Sequence, residues 1–99
     1  MKKTLLLFLL IYGWTLHGQA QTRTLSGKVT SGSEVLPGVN IVVKGTSTGT
    51  ITKADGTYQF SVPNSARTLV FSYIGYKTVE TPIDGRSTID VNLEADMTN

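Results

Sequence analysis

An all-β fold, an antiparallel sandwich of about seven short strands, is what this sequence predicts, and three observations carry the prediction. Beyond residues 1–20, apolar and polar side chains alternate with period two in run after run, and β-branched and aromatic residues fill most of the apolar positions. Glycine, proline and small polar residues separate the runs at short intervals. No part of that region keeps a helical period over a useful length.

Residues 1–20, MKKTLLLFLLIYGWTLHGQA, stand apart. Lys2 and Lys3 open a basic start, an apolar run extends from Leu5 to Trp14, and the small-x-small pattern Gly18-Gln19-Ala20 follows. This is the layout of a secretory signal peptide, cleaved between Ala20 and Gln21. The apolar run is well short of the roughly 20 residues a spanning helix needs, and no cysteine follows it for lipid attachment. Its loss removes Lys2 and Lys3, and with them the formal net charge of +2; the remaining chain holds equal numbers of basic and acidic side chains. The basic balance that would point to nucleic acid or an anionic surface therefore leaves with the leader.

The first run after the leader, Arg23–Thr30, places Leu25, Gly27 and Val29 on one side. Val39–Lys44 does the same with Val39, Ile41 and Val43, and Gly49–Lys53 is a short polar strand around Ile51. Thr57–Val62 alternates Tyr58, Phe60 and Val62 against Gln59 and Ser61, and Thr68–Ile74 presents Leu69, Phe71 and Tyr73. Tyr76–Ile83 and Ser87–Leu93 complete the set, the last with Ile89, Val91 and Leu93 in alternation. The expected core is Val29, Ile41, Val43, Tyr58, Phe60, Leu69, Phe71, Tyr73, Ile89, Val91 and Leu93. Turns are expected at Pro37-Gly38, between Gly45 and Gly49, at Asp55-Gly56, which reads as a hairpin, and at Gly75, where the chain turns or bulges before Tyr76. Glu94–Asn99 is polar and unpatterned, so one domain is expected over residues 21–94 and the start of a linker over 95–99.

The glycine-rich stretch GTSTGTITKADGTYQF admits two chemical readings besides a chain of turns. A phosphate cradle needs a lysine after the glycines and a helix that follows; here a strand follows and the lysine is missing. A calcium loop needs several converging carboxylates, whereas Asp55 stands alone with Lys53 at the alternate position. Turns between strands account for the stretch. Residues 21–99 contain no Cys, His or Trp, which removes thiol and imidazole nucleophilic catalysis, zinc sites built on those ligands, and disulfides. The acidic residues are scattered over turns and strands, with no pair at a defined separation. No catalytic residue, cofactor or metal is expected.

The run SGKVTSGSEVLPGVNIVVKGTSTGTITKADGTYQFSVP, followed by LVFSYIGYKTVETPI and STIDVNLEAD, resembles the carboxypeptidase D regulatory-like domain. More narrowly, it is similar to the version at the N-terminus of SusC/RagA-type TonB-linked outer-membrane transporters. The resemblance implies a transthyretin-like or Ig-like β-sandwich with no catalytic residues. It also implies a non-enzymatic domain on the periplasmic face of a Gram-negative outer membrane, with protein partners: the transporter's plug and barrel, the TonB system, or a SusD-like lipoprotein. In such transporters a TonB-contact segment, a plug and a barrel follow the domain; this chain reaches Asn99 before any of them, so it is expected to be the start of a longer protein or a free-standing product. Contact is expected through open strand edges, with Lys28, Lys44, Lys53 and Lys77 as shields against indiscriminate pairing. The rival readings are a free-standing exported carbohydrate- or protein-binding module using Ser47 to Asp55 and Tyr76, and a regulatory appendage of an exported enzyme.

Overall fold

The computed structural model describes residues 21–96. The leader expected over residues 1–20 and positions 97–99 lie outside the described residues. Eight strands follow in order: β1 (Thr22–Ser31), β2 (Glu34–Val35), β3 (Asn40–Val43), β4 (Gly49–Ile51), β5 (Thr57–Pro63), β6 (Thr68–Ser72), β7 (Val79–Pro82) and β8 (Val91–Asn92). In the first sheet β1 is central. It pairs antiparallel with β5 from Thr22–Pro63 to Lys28–Thr57, antiparallel with β2 at its far end, and parallel with β8. The second sheet is antiparallel throughout, in the order β4-β3-β6-β7.

The two-sheet antiparallel sandwich expected from the alternation is the fold found, with the parallel β1–β8 contact as its one departure. The chain leaves β7 in the second sheet and re-enters the first beside Ser26, so it runs along β1 in the same direction. The span expected as one strand over Ser87–Leu93 keeps regular pairing only at Val91–Asn92, preceded by a lone bridge between Ser26 and Thr88. β2 has two exposed residues, too few for a period to be read from sequence.

Asp55-Gly56 does not form the expected hairpin. β4 is paired with β3 and β5 with β1, so this turn carries the chain from one sheet to the other. Gly56 N–H donates to Lys53 O and Lys53 N–H to Thr57 O, both at 2.8 Å, while Gly56 O accepts from Val29 N–H at 2.8 Å. Thr57–Pro63 finds a longer ladder on β1 than three-residue β4 offers. Tertiary pairing overrides the local hairpin signal.

Between the sheets lie Leu25, Val29, Tyr58 and Val62 from the first and Ile41, Val43, Leu69 and Phe71 from the second, all buried. Ile83, Ile89, Val91 and Leu93 close one flank, and Leu36 and Val39 come from the crossover into β3. Thr52 is the buried polar side chain: its hydroxyl donates to Leu36 O at 2.6 Å and accepts from Val39 N–H at 2.9 Å, tying the end of β4 to that crossover. Tyr58 meets the Phe60 and Phe71 rings edge to face, centroids 6.1 and 5.9 Å apart. Phe60 and Tyr73, expected inside, pack against the core but stay partly exposed. β5 is the outer strand of its sheet, which leaves one flank of Phe60 open, and Tyr73 lies past the end of β6.

The two sides of β1 are tied together at Gly27. A methyl group there would overlap the Ile89 carbonyl oxygen and come within 2.7 Å of its carbon and 2.8 Å of the Tyr58 ring. The bare backbone lets the Tyr58 ring lie over the strand and donate its hydroxyl to Ile89 O at 2.7 Å. Ile89 N–H in turn donates to Ser26 O at 2.8 Å, and the Asp90 carboxylate accepts from Lys28 N–H at 2.9 Å, replacing a backbone acceptor. This diversion is why regular pairing resumes only at Val91. Burial, helped by the Asp90 charge and opposed by Arg86, pushes the Tyr58 hydroxyl from its ordinary 10.0 up to about 12.

Two outcomes are expected. Gly27→Ala should cost about 3 kcal/mol or abolish folding, because backbone rather than a flexible side chain occupies the space; urea unfolding checks this. Folded Tyr58 keeps its proton where the unfolded chain loses it, so stability should fall as pH rises from 10.0 towards about 12. Tyr58→Phe should cost about 1–3 kcal/mol at neutral pH by leaving Ile89 O unpartnered, and should flatten that alkaline slope in unfolding measured across pH.

Candidate protein-docking surface

The candidate chemistry of the glycine-rich stretch resolves into turns. Val43 N–H donates to Thr48 O at 2.9 Å and Thr46 N–H to Val43 O at 3.0 Å, so Gly45 and Gly49 bound the β3–β4 hairpin. Thr48 N–H donates to the Thr46 hydroxyl at 3.0 Å, which engages that amide within the turn. Asp55 accepts from the Thr57 hydroxyl at 2.6 Å and from Thr57 N–H at 3.1 Å, and these bonds hold its carboxyl below the ordinary carboxylate value. Among the described residues no group of three or more acidic or metal-ligating side chains converges. Ser47 and Asp55, offered as parts of one loop patch, flank opposite ends of β4 and do not come together.

Among the described residues, strand edges are open at β4, β5 and β7, and at β2 and β8, which are two residues each. On β5 the direction of each backbone group follows from the flanking bonds: Val29 N–H reaches Gly56 O and Asn64 N–H reaches Gln21 O. By alternation, residues 58, 60 and 62 turn their backbone towards β1, and Gln59 and Ser61 turn theirs outward. Pro63 brings no N–H, and Thr57 O is taken by Lys53. The open part of this edge is therefore short. β7 carries Glu80 and Pro82, and β4 is three residues long.

The lysines expected to shield edges stand elsewhere. Lys28 is on central β1, Lys44 follows interior β3 and pairs with Glu80 at 2.8 Å, Lys53 is in the crossover turn, and Lys77 precedes β7. Short strands and proline blunt the edges instead.

The outward faces of the two sheets differ in character. With Leu25, Val29, Tyr58 and Val62 buried, the first sheet turns Thr24, Ser26, Lys28, Gln59 and Ser61 outward. The second sheet, with Ile41, Val43, Leu69 and Phe71 buried, turns Val42 and Val70 outward as directly opposed partners, both half-buried. Ile51, opposite Asn40, adds a 59% exposed side chain to the same face. Beyond β6, Ile74 is 90% exposed at the tip of a turn closed by Tyr76 N–H to Tyr73 O at 3.1 Å. Gly75, with φ of +85°, adopts the conformation this turn requires. The Tyr73 and Tyr76 rings stack with centroids 5.6 Å apart and hold the turn. Gly38, after Pro37, lies beneath the Tyr73 ring, and a shallow groove lined by Gly38, Asn40, Ser72, Tyr73 and Ile74 continues towards Ile51.

The last described residues are bonded at the same place. Tyr76 bridges Ala95, Lys77 N–H donates to Glu94 O and Asp96 N–H to Gly75 O, both at 2.9 Å. Residues 95 and 96, expected to begin a linker, are thus still bonded to the domain. The period-two reading passed over Val42, Val70 and Ile74 because it assigned one apolar face per strand. The signal was in the continuous runs Ile41-Val42-Val43 and Leu69-Val70-Phe71, which mark strands that have apolar side chains on both faces.

Comparison with known proteins adds a family and relatives. The CarboxypepD_reg-like domain family matches residues 25–99. TonB-dependent receptor P3 of Formosa agariphila is 42% identical over 98 residues, covering 97% of this chain and 10% of that protein. TonB-dependent receptor SusC of Bacteroides thetaiotaomicron is 41% identical over 85 residues, covering 84% of this chain and 8% of that protein. The chain spans about a tenth of the length of these curated relatives.

Exposure separates the role of Ile74 from that of the core. Ile74→Ser should leave domain stability within about 0.5 kcal/mol, whereas Phe71→Ala should cost about 3–5 kcal/mol. Urea unfolding of both variants checks the contrast.

Proposed function

The chain belongs to the CarboxypepD_reg-like domain family, and on that premise we propose that it is the non-catalytic N-terminal extension of a SusC-like TonB-dependent outer-membrane receptor. It works on the periplasmic side by contact with other protein. The observation that carries this reading is identity of 42% to a TonB-dependent receptor across 97% of the chain. Residues 1–20 are its export signal, removed between Ala20 and Gln21, and residues 21–94 are the contact domain.

The physical features agree with contact rather than chemistry. Several of the side chains that could act as acids or bases are engaged locally: Asp55 by Thr57, Asp90 by Lys28 N–H, Glu80 by Lys44. Balanced charge beyond the leader offers no attraction to nucleic acid. The partners in this reading are the receptor's own plug and barrel, the TonB system, or a SusD-like lipoprotein in the same complex. The outer membrane is reached only through a barrel further along the polypeptide.

Size and location of the native product test the proposal. An antibody against residues 21–96 should detect a protein roughly ten times the length of this chain in the outer-membrane fraction, in keeping with the 10% coverage of the relative. A small soluble periplasmic or secreted product would overturn it and favour a free-standing exported binding module.

A further inference from the structure

We propose that the outer face of the β4-β3-β6-β7 sheet, from Ile74 across Asn40 and Ser72 to Ile51, docks the polypeptide that follows this domain in the same protein. The inference rests on the receptor reading above and goes further by naming the surface and its occupant.

Three observations converge on this face. The first is the asymmetry of the sandwich: one sheet's outer face is polar, while the other, beside its Lys44–Glu80 ion pair, carries opposed Val42 and Val70, exposed Ile51 and almost wholly exposed Ile74. An antiparallel sheet with one solvated face keeps a clean alternation. β3 and β6, the two central strands, break it with apolar residues at successive positions. The second is rigidity. The Tyr73–Tyr76 stack and the Gly75 turn hold Ile74 outward in a fixed position, so little side-chain and loop freedom remains to be lost on contact.

The third is the position of the exit, which chooses among occupants. Asp96 N–H is bonded to Gly75 O, next to Ile74, so the chain departs from the rim of this face. Whatever follows Asp96 is held beside Ile74 at an effective concentration in the millimolar range for a short connection. The relatives are about ten times as long as this chain. A docked follower needs only weak apolar contact, with Asn40 and Ser72 available for polar pairing across the groove. Docking would fix the direction in which the domain stands from the receptor body.

The test uses the full-length protein in isolated outer membranes. Protease release of the N-terminal fragment is followed with the antibody against residues 21–96 for the unaltered protein, for Ile51→Asp combined with Ile74→Asp, and for Thr24→Asp on the opposite polar face. The double variant should be released about ten-fold faster, equivalent to about 1.4 kcal/mol, with Thr24→Asp unchanged. A photo-reactive label on Ile74→Cys should link to a segment beyond residue 99 of the same chain. Equal release of the double variant and the unaltered protein, or equal acceleration by Thr24→Asp, would overturn the proposal. So would adducts to a second copy or to another protein, and these leave the receptor reading intact. A native product no longer than this chain would remove the occupant and overturn both.

Discussion

The contact on which the sandwich depends is the approach of Ile89 to Gly27. A strand and a crossing segment come close enough there that the backbone of one occupies the space of a side chain on the other. That approach lets Tyr58, on the opposite flank of β1, reach the Ile89 carbonyl, so one hydroxyl joins β5 to the C-terminal segment across β1. The cost of a polar tip inside the core is met because it has a partner, and the neutral hydroxyl is favoured strongly enough to raise its proton affinity. The C-terminal segment has few regular ladder bonds. It is held by this tyrosine, by Asp90 on Lys28 N–H, and by the burial of Ile89, Val91 and Leu93.

Fixing that segment also fixes where Asp96 lies. Residues 87–93 run parallel to β1, and the next three residues bond to Gly75, Tyr76 and Lys77 in the turn and loop beyond β6. Asp96 therefore lies beside the exposed turn at Ile74. No acids or metal ligands cluster among the described residues, and the face that carries exposed Ile51 and Ile74 adjoins Asp96. The strand edges are poorer candidates: the free backbone of β5 narrows to Gln59 and Ser61, and proline or shortness limits β7, β4, β2 and β8.

Much of this was legible in the order of residues. Alternation placed Val29, Ile41, Val43, Leu69, Phe71, Ile89, Val91 and Leu93 inward, because a strand's side-chain period of two is a local property. Pro37-Gly38 and the Gly45–Gly49 segment read as turns for equally local reasons, and the motifs from LPGVN to SYIGY carried the family. The misreadings are non-local. Asp55-Gly56 has the chemistry of a hairpin, yet the strands on either side of it belong to different sheets. Phe60 and Tyr73 have core-type side chains, yet one is on an outer strand and the other past a strand end.

The sequence by itself determined the fold class and most of the strands to within a few residues. Each depends on what a residue is and on its near neighbours along the chain. Tertiary structure decided which strands pair, which edges stay open, that Gly27 must be bare, and that Ile74, the Val42–Val70 face and the chain exit meet on one side. Those outcomes depend on residues up to 62 positions apart, such as Lys28 and Asp90. No local period encodes such a separation; only the competition among all the possible pairings, settled by burial and close packing, selects it.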